Sequence, residues 1–197
     1  MTLSAFKSQY DFPGSIVLLE GKRVVRPEDI DKLIALGRLL ASKTEHIKFR
    51  SGNAPGADEF FSEGVREMDI SRLQIIKPYR SHRTTSEQTQ DVVSLDDVNL
   101  AGEEGLIKAS AVNERTERLV SNYIKGTRSF ISMKAAYLIR DTMKVVGAEG
   151  LPSANFAIFY DSLTKPMSGG TGHTMQVCIQ KNVPWIDQGT WMKWLEE

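Results

Sequence analysis

An α/β fold, with a doubly wound, mainly parallel sheet and helices on both faces, is what the 197-residue chain predicts. Short apolar runs alternate with stretches of helical periodicity, which is the pattern of strands joined by helical crossovers. Three of those runs end in glycine-containing turns. The length suits one core, since a chain of this size buries roughly 70% of its unfolded surface, so residues 1–197 are read as a single domain.

The elements follow in order. Residues 15–19 (Ser-Ile-Val-Leu-Leu), set between Gly14 and Gly21, read as a buried strand. Pro27 and Glu28 open a helix in which Ile30, Leu33, Ile34, Leu36, Leu39 and Leu40 recur at helical spacing. Residues 46–50 form a second strand, 52–56 a turn, and 57–68 a helix with Phe60, Phe61 and Val65 turned inward. Residues 73–76 are a third strand, stopped by Pro78. From Arg80 to about Asn113 the chain is polar and weakly periodic. It reads as a partly helical surface insertion, or as a lid or an oligomer contact. Helices are expected over 114–124 and 129–146, and a strand over 154–160. A glycine turn at 169–172 precedes a helix that starts near Thr174 and runs through Gln180. A last strand at 183–186 and a helical turn at 190–195 complete the chain, with Trp191 and Trp194 expected over the sheet edge or at an interface.

Composition narrows the function classes. Twenty-five basic residues balance 25 acidic ones, so the chain as a whole has no electrostatic footprint for nucleic acid or membrane, and neither is expected as a partner. A local basic pocket stays open. One cysteine, Cys178, excludes an internal disulfide framework and a cysteine-based zinc site, and favours a cytoplasmic location. Three histidines without HxxxH or HExxH spacing give no metal site, and no cofactor is expected. No secretory leader is visible and no apolar run approaches the roughly 18 residues that span a bilayer.

The chemistry is expected on the three turns, because such turns in an open parallel sheet gather at the carboxyl edge of the strands. The first is Gly21-Lys22-Arg23, where two cations follow a glycine and a phosphate would meet an arginine fork. The second comprises Ser51, Gly52, Asn53, Ala54, Pro55, Gly56, Ala57 and Asp58. Its helix start favours an anion, while Asp58, itself anionic, suits a ribose hydroxyl, an amide cap or acid-base work. Arg50 before it adds a cation. The third comprises Ser168, Gly169, Gly170, Thr171, Gly172, His173 and Thr174. Three glycines and several hydroxyls before a helix make an anion nest, without the lysine or the spacing of a Walker A loop. His173 reads as a hydrogen-bonding or capping residue, and Cys178 as core.

On these turns the chain resembles the SLOG superfamily, which includes LOG-type nucleotide phosphoribohydrolases, DprA DNA-processing proteins and molybdenum-cofactor carriers. The run Leu138-Ile139-Arg140-Asp141 also looks like the arginine-bearing helix of several branches. The resemblance implies a Rossmann-like fold, a nucleotide-derived phosphorylated ligand on the glycine loop, and homodimerisation. In the hydrolase branch the last loop reads PGGxGTxxE, and its glutamate works with an arginine on the N-glycosidic bond. Here Ser168 stands for the proline, His173 for the threonine and Gln176 for the glutamate, with Arg140 matching the arginine. A neutral glutamine cannot act as a base. The expected function is therefore binding of a nucleotide or nucleotide-derived small molecule, as sensor or carrier. The alternatives are a nucleoside-phosphate N-glycosidase on Asp58, Arg140 and Gln176, with Asp58, Glu59 or an insertion carboxylate such as Glu103 or Glu104 replacing the missing glutamate, and DprA-like binding of single-stranded DNA. The last needs a basic groove from Arg80, His82, Arg83, Arg115, Arg118, Lys125 and Arg128.

Overall fold

The computed structural model describes residues 1–82, 91–126 and 130–197. The strands β1 (Ile16–Gly21), β2 (Lys48–Ser51), β3 (Leu73–Lys77), β4 (Asp91–Ser94), β5 (Phe156–Tyr160) and β6 (Trp185–Ile186) make one sheet. All its pairings are parallel and its order is β4-β3-β2-β1-β5-β6. The chain thus winds outward from β1 in one direction, returns, and winds outward from β5 in the other. The reversal between β1 and β5 opens a crevice at their carboxyl ends, and this is where ligands sit in such sheets.

Alternation along the strands sends side chains to two helical layers. Val17 and Leu19 of β1, Phe49, Ile75, Phe156 and Ile158 meet α1 (Leu3–Tyr10), α2 (Ile30–Lys43) and α3 (Ala57–Asp69). Ile16, Leu18, Ala157 and Phe159 point the other way, onto α6 (Phe130–Val146) and α7 (Gly169–Gln180). Beside α6 a third cluster joins Ile76 to α4 (Glu104–Ser110) and α5 (Glu114–Ile124). The short α8 (Gln188–Trp191) places Trp191 in the first layer, and Trp194 follows it there. The two tryptophans are core residues, 0% and 1% exposed, rather than an outer cover. Their ring nitrogens are satisfied by the Phe159 and Met1 carbonyls at 2.9 and 3.0 Å.

The polar segment after β3 contributes an edge strand. Asp91 to Ser94 pairs with Gln74 to Lys77, and Asp91 holds both Lys48 Nζ at 2.6 Å and Gln74 Nε2 at 3.1 Å. The same row takes in Arg50, whose Nε donates to Gln74 Oε1 at 2.7 Å and whose Nη1 donates to the Lys144 carbonyl at 2.9 Å. Arg50 is therefore buried beneath α6. Burial lowers its pKa to about 10, and it is a structural cation rather than part of a rim. Residues 83–90 and 127–129, including Arg83, Arg128 and the expected helix start at Ser129, lie outside the described residues.

Helices α2 and α3 cross on glycine. A Cβ on Gly64 would overlap the Ile34 carbonyl oxygen, and one on Gly37 would overlap the Phe61 carbonyl oxygen. Alanine is the better helix former by roughly 1 kcal/mol, but here the obstacle is backbone, which yields only if the helices part. Overpacking of this kind costs about 1–3 kcal/mol. Gly64→Ala is expected to lower the urea midpoint through a net loss of up to about 2 kcal/mol; a raised midpoint would show that the crossing is not close-packed.

Candidate functional site

A cleft of about 1240 Å³ occupies the crevice between β1 and β5. Its floor and walls come from the turn after β1, the start of α3, the outward face of α6, the turn leading into α7 and the first turn of α5. Gly21, Lys22, Arg23, Asp58, Arg140, His173 and Gln176 all line it, as do Ser168, Gly169, Gly170 and Thr171. Residues from all three turns are thus brought to one place. Ser51, Gly52, Asn53, Gly56, Ala57, Gly172 and Thr174 stand behind that lining.

The backing residues hold the turns together. Asp58, 2% exposed, accepts the Gly21 amide on Oδ1 at 2.9 Å and the Ala54 amide on Oδ2 at 3.5 Å. The Ala57 amide donates to the Lys22 carbonyl at 3.0 Å, and that of Glu59 to the Ala54 carbonyl at 3.2 Å. Three of the four amides that open α3, those of Ala57, Glu59 and Phe60, are thus consumed inside the fold, which leaves little of an anion nest at this helix start. The glycines serve the same contact. Gly56, at φ 96°, lies so close to Arg23 that a Cβ would strike its backbone. A Cβ on Gly21 would come 2.6 Å from that of Ala57. Ser51 Oγ accepts the Asn53 amide at 3.1 Å, shaping the same turn.

The third turn differs. The helix begins at Gly169, not near Thr174, so the glycines form its first turn instead of a loop before it. Gly172 allows this, because a Cβ there would overlap the Met167 backbone. Ser168 is the N-cap but makes no side-chain cap bond to the helix. Its hydroxyl instead donates to the Lys165 carbonyl at 2.8 Å. The first amides of α7 have no partner within the helix, and the residues that carry them, Gly169, Gly170 and Thr171, line the cleft. Lys22 locks the turn in place: its ammonium meets the Ser168 carbonyl and hydroxyl, and Asp161 at 3.1 Å. Asp161 in turn accepts the Met167 amide at 2.6 Å.

Beneath lies a buried charge cluster. Lys144 Nζ sits 2.6 Å from Glu20 Oε2 and 3.0 Å from Asp141 Oδ1, and Arg140 Nε lies 3.3 Å from Asp141 Oδ1. Glu20 Oε1 also accepts the Thr174 hydroxyl at 2.8 Å. Burial pushes the Glu20 carboxyl up to about 8, with Lys144 opposing and Asp141 and Asp58 adding to the rise. Burial would raise Asp141 too, but Arg140 and Lys144 outweigh it and hold that carboxyl below its usual value. Burial would lower Lys144, and the two carboxylates outweigh it. His173 is lowered, chiefly by burial, and Nε2 lies 3.0 Å from the Thr142 hydroxyl. Cys178 is fully buried and burial pushes its thiol up to about 12, which suits a core residue rather than a nucleophile.

Arg140 stands apart within this cluster. It is 4% exposed, and its Nη1 is buried with no hydrogen-bond partner among the described residues. It lies against Gly52, where any Cβ would overlap Nη1. Its guanidinium also lies 5.7 Å from the centroid of the Tyr137 ring, which meets Tyr79 and His82 edge to face. Sequence reasoning missed Glu20, Lys144, Asp161 and Tyr137. The signal for two of these was present: Tyr137 and Lys144 fall with Arg140 and Asp141 at i, i+3, i+4 and i+7, one polar stripe on an apolar helix. Among the described residues no group of histidine, cysteine and carboxylates could hold a metal ion, and no helix is long and apolar enough to cross a membrane.

No protein-family model matches the chain, and no curated protein does. Among solved structures, DNA processing protein A from Helicobacter pylori, described for its single-stranded DNA binding mode, shares the fold with a TM-score of 0.50 at 13% identity. The match covers 89% of this chain and 65% of that one, so this chain spans about 65% of the length of the protein it resembles. That finding overturns the expectation that nucleic acid is not a partner. The expectation rested on a net charge of zero, averaged over the whole chain. Locally the balance differs, because eight basic and four acidic side chains line the cleft of a Rossmann-like fold shared with a single-stranded DNA-binding protein.

Proposed function

We propose that this protein is a SLOG-type nucleotide binder that takes single-stranded DNA, seating a backbone phosphate between the open amides of α7 and the Arg140 guanidinium. One observation carries the reading: a buried guanidinium with an unpartnered Nη1, lining a cleft with a local excess of cations. An unmade bond to a buried charged group is costly, and a phosphate oxygen is the acceptor that fits it. Bases have surfaces to meet as well. Tyr137 offers a ring face, and Val24 and Leu163 stand 88% and 70% exposed at the mouth.

A second reading, a free nucleoside phosphate as ligand, is favoured by the buried charges at the cleft floor, which suit a small molecule held end-on. Hydrolysis of that ligand gains little support. Gln176 is neutral, Asp58 is occupied by backbone amides, and Glu20 retains its proton up to about pH 8.

Fluorescence anisotropy of labelled oligo-dT across a salt series, with dTMP and AMP as competitors, tests both. Oligonucleotide binding that weakens with salt supports the first reading. Binding of dTMP or AMP by titration calorimetry, with no change in the anisotropy of the oligonucleotide, supports the second, and binding of neither rejects both. Gly170→Val is the site control. A Cβ there has open space apart from Asp141 Oδ2 at 3.3 Å, so the fold is expected to survive while the added side chain fills the phosphate seat. Affinity is expected to fall about tenfold or more, the equivalent of one lost bond to a charged group. Unchanged affinity would place the seat elsewhere.

A further inference from the structure

We propose that the exposed face of α5 is a second binding surface, continuous with the cleft, that carries a single strand onward so that the ligand is several nucleotides long. This rests on the reading above and adds to it a direction and a length. A shallow hollow of about 360 Å³ lies on α5, walled by Glu114, Arg115, Arg118, Leu119 and Asn122. Arg115 and Leu119 line both this hollow and the cleft, so the two depressions share a wall and a chain leaving one enters the other.

The helix is built for this. Arg115, Arg118, Leu119 and Asn122 follow the i, i+3, i+4, i+7 spacing of one face, while Thr116 and Val120 are buried on the opposite side. Arg115, Arg118 and Asn122 are exposed. Neither arginine has a side-chain partner among the described residues, whereas the exposed Arg38 and Arg80 are committed to Glu67 and Asp97. Two free guanidiniums one helical turn apart suit consecutive phosphates, with Leu119 between them as an apolar contact for sugar or base, and Asn122 as a hydrogen-bonding partner. Glu114 stands at the amino end of the helix, where its charge complements the dipole, so the cationic part of the hollow is its middle.

Arg118 and Asn122 line the hollow and not the cleft, so they separate the two surfaces experimentally. Anisotropy is read with dT2, dT4, dT8 and dT12 on the wild type, Arg118→Glu, Arg118→Lys and Asn122→Ala. Wild-type affinity is expected to rise with length beyond two nucleotides. In Arg118→Glu that rise is expected to vanish, with the slope of log affinity against log salt shallower by about 0.7, one single-strand phosphate contact. Arg118→Lys is expected to restore most of it, and Asn122→Ala to give an intermediate loss. Competition by mononucleotide is expected to stay at the wild-type level in all three. Length dependence and salt slope unchanged in Arg118→Glu would overturn the proposal and leave the cleft reading standing. So would a wild type that gains nothing beyond two nucleotides. No binding of any probe would overturn both.

Discussion

Replacing Lys144 by methionine is expected to cost about 4 kcal/mol of stability at pH 8 and less than half of that at pH 4. The side chain is 1% exposed and joins two buried carboxylates, Glu20 at 2.6 Å and Asp141 at 3.0 Å. Methionine fills a similar volume, so packing changes little, and what is lost is the counter-charge. The sign of the pH dependence follows from which form each group favours in the folded chain. Glu20 already binds its proton more tightly folded than unfolded: its ordinary value is 4.5 and its folded value about 8. Its contribution is therefore complete below about 4.5 and is lost as pH rises through 8. Asp141 behaves oppositely while Lys144 is present, because its lowered pKa makes its contribution complete above the ordinary value and removes it on acidification. Without the ammonium, both carboxyls are pushed toward the protonated form, Glu20 the further because Asp141 keeps Arg140 Nε at 3.3 Å. At acid pH they accept protons cheaply and the variant approaches the wild type; at alkaline pH the folded state must bury an unpaired Glu20 carboxylate or hold its proton against the solution. Urea unfolding at the two pH values measures this. An equal loss at both, or one below about 1 kcal/mol, would mean that water or a neighbouring group compensates the carboxylates.

How much of this was legible depended on range. Helix α2 declares itself because its leucines repeat every turn, and β1 and β5 because their apolar runs are continuous between glycines. Strand β4 does not: Asp91-Val92-Val93-Ser94 is four residues at the sheet edge, paired on one side, within a polar stretch. Helix α1 is equally quiet, with only Phe6 and Tyr10 buried. The start of α7 was misplaced because glycine reads locally as a breaker. Here Gly172 is required by contact with Met167, a demand visible only in three dimensions. At the site the same ambiguity applies. A glycine that admits a ligand and a glycine that admits a neighbouring turn look alike in sequence. Gly56 is of the second kind, Gly21 both packs against Ala57 and lines the cleft, and Gly169 and Gly170 line the cleft with no neighbouring turn against them. Glu20 was detectable in principle, as an acid closing an apolar strand that must find a partner, but its partner Lys144 is distant in the chain.

Arg140→Met is expected to reduce ligand affinity about 100-fold while leaving stability within about 1 kcal/mol of the wild type. Two opposed effects on folding make the second half of that statement. Removing the guanidinium weakens the pairing of Asp141, from which Arg140 Nε lies 3.3 Å, but Asp141 keeps Lys144 at 3.0 Å. Removing it also eliminates a buried charged donor whose Nη1 has no partner among the described residues, a group whose desolvation costs on the order of 1–3 kcal/mol. The two are comparable and cancel. For binding there is no such offset, since the phosphate loses its charge-assisted bond and the Tyr137 stack loses its cation. The pairing of outcomes separates the two roles open to a buried arginine. A strut would unfold the protein when cut, and any loss of binding would track the loss of fold. A group kept for a ligand leaves the fold intact and takes the affinity with it. Thermal melting and anisotropy on the same preparation give both readouts, and a variant that melts far below the wild type yet still binds oligo-dT would remove Arg140 from the phosphate seat.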